Sequence, residues 1–128
     1  MKLTLSWMNT AGRMDPCCSS LAVNKDGVSL LSCLLMDDGG ISYLHTLHWI
    51  DEGIARMDAV MNGNASIQEW DRETWGAKIR PDEVRIHSLH DEDYSESIGA
   101  ATFRRALVAW RDFLQSPADV SMTRDVEV

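Results

Sequence analysis

The sequence has no long apolar run and is short of basic residues. None of its apolar stretches approaches the roughly 18 residues that a membrane-spanning helix needs, and residues 1–7 lack the apolar core of a secretory signal. The chain has 12 Lys and Arg residues against 20 Asp and Glu residues, and its net charge is −8. These features argue against a membrane protein and a general nucleic-acid binder, because phosphate backbones demand clustered basic side chains.

Cysteine is also scarce, and common catalytic motifs are missing. The chain has three cysteines, and the adjacent Cys17 and Cys18 have poor geometry for a mutual disulfide. We therefore expect a cytoplasmic protein, with a disulfide from Cys33 to either of them left open. The sequence has no G-x-S-x-G motif and no glycine-rich phosphate loop ending in Lys-Ser/Thr. We expect a protein that is not an enzyme and uses no cofactor.

The composition that remains is typical of one globular domain. The chain has 128 residues, of which 45% are hydrophobic and 25% are charged. Ser116-Pro117 is expected to end the last helix. We therefore predict a single domain over residues 1–116 and a polar C-terminal tail over residues 117–128.

The first third of the chain has the pattern of strands. Leu3, Leu5 and Trp7 alternate with polar residues, which predicts a strand over residues 2–8. Residues 9–20 are expected to form a loop or an irregular edge. The apolar runs 21–23 and 28–36 flank an Asp-Gly turn signal, which predicts that they pair as an antiparallel hairpin.

Two later segments have helical periodicity. Apolar residues recur every three or four positions in each: Leu47, Ile50, Ile54, Met57 and Met61 in the first, and Phe103, Leu107, Trp110 and Leu114 in the second. Ser95 or Ser97 is expected to cap the second helix, over residues 99–115. Between the helices, three short strands are predicted at residues 67–70, 75–79 and 84–89. The order βββ-α-βββ-α indicates an α+β fold, with one antiparallel sheet of about six strands and two helices packed on it.

Two polar clusters are candidates for a functional site. His45, His48 and Glu52 would share one face of the first helix and could bind zinc, although their spacing is not the H-E-x-x-H of zinc proteases. Residues 82–96 contain six acids and one base, Arg85. These acids are expected to bind a basic partner, to chelate a cation, or to favour the following helix through its dipole. The predicted partner-binding residues are Asp82, Glu83, Asp91, Glu92, Asp93, Tyr94 and Glu96.

The five tryptophans, many for this length, are mostly expected in the core. Trp49 and Trp70 could instead anchor an interface, because Trp49 lies off the apolar stripe of its helix and charge follows Trp70.

The second half of the chain resembles a known group of proteins. The resemblance covers about residues 53–114 and rests on the spacing and aromatic placement of these segments: Asn62-Gly63-Asn64, Gln68-Glu69-Trp70, residues 75–79, residues 84–89, residues 91–94, residues 103–110 and Phe113-Leu114. They are similar to small acidic immunity proteins of bacterial polymorphic toxin systems, including contact-dependent growth inhibition.

The resemblance implies a cytoplasmic protein that binds and neutralises the C-terminal domain of a cognate toxin, often a basic nuclease. An acidic inhibitor would associate rapidly with such a domain through electrostatic steering. The alternatives are a small metal-dependent enzyme that uses His45, His48 and Glu52, and a non-catalytic homodimeric adaptor that uses exposed tryptophans. A further acidic face carrying Asp37, Asp38 and Trp49 is a reserve position for the partner site.

Overall fold

The fold is α+β, with two antiparallel sheets instead of the single sheet expected. The computed structural model describes residues 1–41 and 43–128. Within these residues the chain forms seven strands and three helices. The strands are β1 (Lys2–Thr10), β2 (Arg13–Ser20), β3 (Gln68–Asp71), β4 (Trp75–Ile79), β5 (Glu83–Ser88), β6 (Ser95–Gly99) and β7 (Thr123–Glu127). The helices are α1 (Leu30–Met36), α2 (Leu44–Met61) and α3 (Ala100–Leu114).

The helices separate the strands into two sheets, with strand orders β2-β1-β7 and β3-β4-β5-β6. Helices α1 and α3 contact strands of both sheets, and α2 packs against α3 and the four-stranded sheet. One cluster of buried side chains includes residues from both sheets and all three helices. None of the described helices has the length and apolarity to cross a membrane.

Strand β1 is confirmed, but the loop expected over residues 9–20 is wrong because this segment contains β2. Ala11 and Gly12 have φ values of 52° and 82°, which suit a tight two-residue hairpin turn. Pro16 lies opposite Trp7 in the strand pairing. The Asp15-Pro16 pair suggested a loop, yet proline is tolerated here because β2 is an edge strand.

The hairpin expected between residues 21–23 and 28–36 is also wrong. The turn itself forms, since the Asn24 amide donates to the Val28 carbonyl over 2.8 Å, but the apolar run that follows it becomes helix α1. The Ser29 side chain caps this helix by accepting from the Ser32 amide. Four leucines in the run are buried: Leu30, Leu31, Leu34 and Leu35. They fit one helical face as well as a buried strand, and a short apolar run does not distinguish the two.

The second half of the chain agrees better with the sequence. Both periodic helices and the three strands between them are confirmed, as α2, α3, β3, β4 and β5. The prediction missed strand β6, which contains both serines expected to cap α3. Gly99 is the N-cap of α3 instead and makes no side-chain capping bond. Pairing of Val84 with Ile98 completes the β5–β6 hairpin.

The segment expected to be a polar tail contains β7. This strand pairs antiparallel with β1, and Val126 lies opposite Leu3. Arg124 lies over the Phe113 ring at 5.4 Å from its centroid, which ties β7 to α3. Val128 is buried. The expectation failed because β7 is mostly polar, with Val126 as its one apolar residue. Its pairing partner is also distant in the chain, since Thr4 and Asp125 are 121 residues apart.

An acidic end of the four-stranded sheet

The predicted partner-binding residues do not form one cluster. Asp82 and Glu83 lie at the turn between β4 and β5, whereas residues 91–93 lie in the β5–β6 loop at the opposite end of β5. A strand of this length separates its two ends by roughly 17–20 Å. Asp82 and Glu83 therefore lie apart from the loop acids, so the turn that carries them is not the neighbour of the loop that the sequence had suggested.

Glu96 has a structural role that the sequence did not indicate. It lies on β6, and its carboxylate accepts a hydrogen bond from the Leu31 amide over 3.3 Å. Burial raises the pKa of this carboxyl group, while hydrogen bonds from the Leu31 and Leu30 amides act in the opposite direction. Glu96 thus caps the N-terminus of α1 from a neighbouring strand, where a carboxylate also complements the helix dipole.

Tyr94 is also committed to contacts within the protein. Its ring packs beside Trp75, with centroids 6.2 Å apart, and its hydroxyl oxygen accepts from the Asn24 side chain over 3.0 Å. The tyrosine was expected to offer its ring and hydroxyl to a partner. Its hydrogen bond with Asn24 instead connects the β5–β6 loop to the turn that precedes α1.

The structure brings a different set of acids to the loop end of the sheet. The Leu89 amide donates to the Thr74 carbonyl over 2.9 Å, so the β5–β6 loop lies against the β3–β4 turn. Asp37, which follows α1, accepts from the Thr74 and Trp75 amides over 2.8 and 3.1 Å. We call the carboxylates of these three segments the acidic end: Asp37, Asp38, Asp71, Glu73, Asp91, Glu92 and Asp93.

The carboxylates of the acidic end are not neutralised by ion pairs. Elsewhere, Glu52, Asp58 and Asp51 pair with arginines at N···O distances of 2.5, 2.8 and 3.4 Å. Across residues 1–41 and 43–128, none of the seven carboxylates is in an ion pair. Five of them are exposed, and only Asp37 and Asp38 are half-buried. The acidic end is therefore a surface with an excess of negative charge.

Two arginines near the acidic end bond to uncharged groups instead. Arg72 donates to the carbonyl oxygens of Asp37 and Asp38 over 3.3 and 3.4 Å and lies over the Trp49 ring. Arg85 donates to the Glu92 carbonyl and the Ser95 hydroxyl, each over 3.0 Å. These contacts hold the three acidic segments to the sheet, so their carboxylates are displayed on an ordered framework. The reserve position at Asp37 and Asp38 thus adjoins the β5–β6 loop, which sequence spacing alone does not reveal.

The alternative metal site is not assembled. His45, His48 and Glu52 are all exposed on α2, and Glu52 pairs with Arg56. In the part of the chain that the structure describes, His, Cys, Asp and Glu residues form no group of three or more that could hold a metal ion.

Four of the five tryptophans are buried and are not available as anchors of an interface. Trp49 and Trp70 are 5% and 1% exposed, and their rings stack with centroids 4.2 Å apart. Trp7 and Trp110 are also buried. The interpretation as core residues is confirmed for these four side chains, which leaves the adaptor alternative without its proposed anchors.

Sequence reasoning missed one groove altogether. It lies between α3 and β7 and has a volume of about 390 Å³. Its lining contains three valines, one alanine, three arginines and two acids, Asp112 and Glu127. Arg104 bonds to Asp58 over 2.8 Å, and this bond raises the pKa of its guanidinium. The sequence signal for this groove was the spacing of Arg124, Val126 and Val128 at every second position, which places them on one face of a strand. This signal can be used only once β7 is recognised as a strand.

Comparison with known proteins adds no relative to this picture. No family model, curated protein or solved structure was found to match the chain.

Proposed function

We propose that the protein is an immunity protein that binds and neutralises a cognate toxin domain of a contact-dependent growth inhibition system. The observation that carries this proposal is the acidic end, where hydrogen bonds join three acid-bearing segments. Among the described residues, none of its seven carboxylates forms an ion pair. The resemblance of residues 53–114 to such proteins supplies the class of partner. The proposed site of action is the cytoplasm, where the toxin domain would meet its substrate.

The physical case rests on charge complementarity. A nuclease must attract phosphate groups, so its substrate cleft is commonly basic. An exposed surface with an excess of carboxylates accelerates association with such a cleft and disfavours acidic partners. Lys or Arg side chains of the toxin would pair with the loop carboxylates and lose access to the substrate. The inhibitor needs no chemistry of its own for this task.

The structure changes which residues we assign to the interface. We retain Asp91, Glu92 and Asp93 and add Asp71 and Glu73, which are exposed on the adjoining turn. Tyr94 and Glu96 support this surface from within. Asp82 and Glu83, at the other end of β5, lie outside the proposed interface.

The decisive experiment compares two sets of charge reversals. D91K/E92K/D93K is expected to weaken binding to the cognate basic toxin domain, identified by screening candidate domains, by at least about 100-fold at low salt, because attraction becomes repulsion. The control, D82K/E83K, reverses exposed acids of the same sheet and should change affinity only a few-fold. Calorimetry at low and high salt measures both, since screening should reduce the difference.

Survival of cells that co-express the toxin domain provides a second readout. The D82K/E83K variant should protect them, whereas D91K/E92K/D93K should not. Equal affinity of the folded loop variant and the native protein would overturn the assignment of the interface. Failure of the native protein to bind or protect against any of the candidate toxin domains would overturn the proposed function itself.

A further inference from the structure

A pocket between strand β2 and helix α1 collects three sulfur-containing side chains. It has a volume of about 280 Å³, and Cys18, Cys33 and Met36 all line it. The other residues that line it are serine, valine and glycine, so the pocket contains no histidine and no carboxylate. We call Cys18, Cys33 and Met36 the sulfur pocket. It adjoins the acidic end at Asp37, which follows Met36 in the chain, but the proposed function does not use it.

The fold brings the three sulfur-containing side chains to the wall of one pocket. Cys18 lies on the face of β2 that packs on α1, with its Sγ 3.6 Å from the Ser32 hydroxyl oxygen. Its amide donates to the Met36 Sδ atom over 3.3 Å. Cys33 and Met36 are three residues apart on α1 and therefore share one face of the helix. Both thiols are free.

We propose that the sulfur pocket is a binding site for a monovalent soft metal ion, namely Cu(I). Thiolate and thioether sulfur atoms select soft ions such as Cu(I), while hard divalent cations require oxygen ligands. A zinc site would call for four nitrogen, sulfur or carboxylate ligands, more than this pocket offers. Cys18 and Cys33 supply the thiolates, each releasing its proton to solvent on binding, and Met36 supplies the thioether. No electron transfer is involved.

Access to this site is open on one side. Cys18 is 4% exposed, whereas Met36 is 38% exposed at the outer end of α1 and Cys33 is half-buried. An ion can therefore enter past the methionine and reach the buried thiol. A flexible thioether at the entrance and a fixed thiol at the base make a site that closes around the ion by rotation of the Met36 side chain.

The neighbouring cysteine provides a matched control. Cys17 precedes Cys18 in β2, so its side chain points to the opposite face of the strand, away from α1. It is also a free thiol and does not line the pocket. C17S therefore removes one thiol from the same strand while leaving the proposed site intact.

The test is an anaerobic titration of the reduced protein with Cu(I) in competition with the chromophoric chelator bicinchoninate. The native protein and C17S should each retain one equivalent of Cu(I) with equal affinity. C33S should bind Cu(I) more than 100-fold more weakly, because loss of an outer-shell partner alone costs roughly 10- to 100-fold. M36L, which keeps the volume of the side chain, should lower the affinity by at least about tenfold.

Thermal unfolding separates a specific site from incidental thiol binding. Cu(I) should raise the unfolding midpoint of the native protein and of C17S, because an ion that binds only the folded state stabilises it by mass action. It should not raise the midpoint of C33S. The proposal is overturned if the native protein retains no copper against the chelator, if C33S binds as tightly as the native protein, or if C17S loses as much affinity as C33S.

Discussion

At the scale of single residues, one close contact lies where a helix glycine meets a tryptophan. Gly53 is buried in α2, and a Cβ atom added there would lie 2.6 Å from the Trp70 ring. Trp70 is 1% exposed and stacks on Trp49. Glycine costs about 1 kcal/mol in a helix interior relative to alanine. The sequence accepts this cost because a ring occupies the space that a side chain would need.

Replacing this glycine should therefore destabilise the protein although it improves helix propensity. We expect Gly53→Ala to lower the free energy of unfolding by about 1–3 kcal/mol, the usual cost of overpacking a core. Urea denaturation followed by tryptophan fluorescence measures the change. Ala55→Gly, at an exposed position of the same helix, is the control and should lose only about 1 kcal/mol through propensity. A Gly53→Ala protein more stable than the native one would contradict the close contact with Trp70.

At the scale of elements, the sequence predicted those helices and strands whose hydrophobic periodicity is visible within a short segment. The helices α2 and α3 and the strands β3, β4 and β5 follow from periodicities of 3.6 and 2 in the sequence. Helix α1 was not predicted, because an apolar run of seven residues fits the period of a helix and that of a strand. Only the capping serine before it distinguishes the two. Strand β7 was not predicted either, because its pairing with β1 joins opposite ends of the chain.

The candidate site shows the same limit. The acids of the β5–β6 loop are consecutive and could be found from the sequence. Their proximity to Asp37 and Asp38 depends on hydrogen bonds from the Thr74 and Trp75 amides to Asp37. These bonds join residues that are far apart in the sequence, with separations of 37 and 38 residues. Glu96 looked like part of the same acidic run, but alternation along β6 turns it toward α1.

Strand β7 provides the prediction at this scale. Truncation after residue 120 should destabilise the protein by on the order of 3 kcal/mol, because burial of a valine side chain alone contributes about 1.5–3 kcal/mol and β1 would lose a paired neighbour. A urea unfolding midpoint measures the loss. The control is Val120→Ala, since this valine is 58% exposed, and it should leave the midpoint unchanged. A truncated protein as stable as the native one would restore the view of this segment as a polar tail.

At the scale of the whole molecule, the two sheets depend on one helical layer. Trp7 from the three-stranded sheet stacks on Phe113 of α3, with centroids 5.1 Å apart. Trp70 from the four-stranded sheet meets Phe103 of the same helix edge-on at 6.2 Å. Because α3 contributes to both contacts, neither sheet can lose its packing without disturbing the helix that supports the other.

This shared helix predicts that the protein unfolds in one cooperative step. Far-UV circular dichroism and tryptophan fluorescence should give coincident urea transitions, with a slope of about 1–3 kcal/mol per molar urea. The W7F variant removes the reporter in the three-stranded sheet and leaves four tryptophans, among them Trp49 and Trp70 against the other sheet. Its fluorescence transition should still coincide with its circular dichroism transition. Two separated transitions would show instead that the sheets are independent units and that α3 follows only one of them.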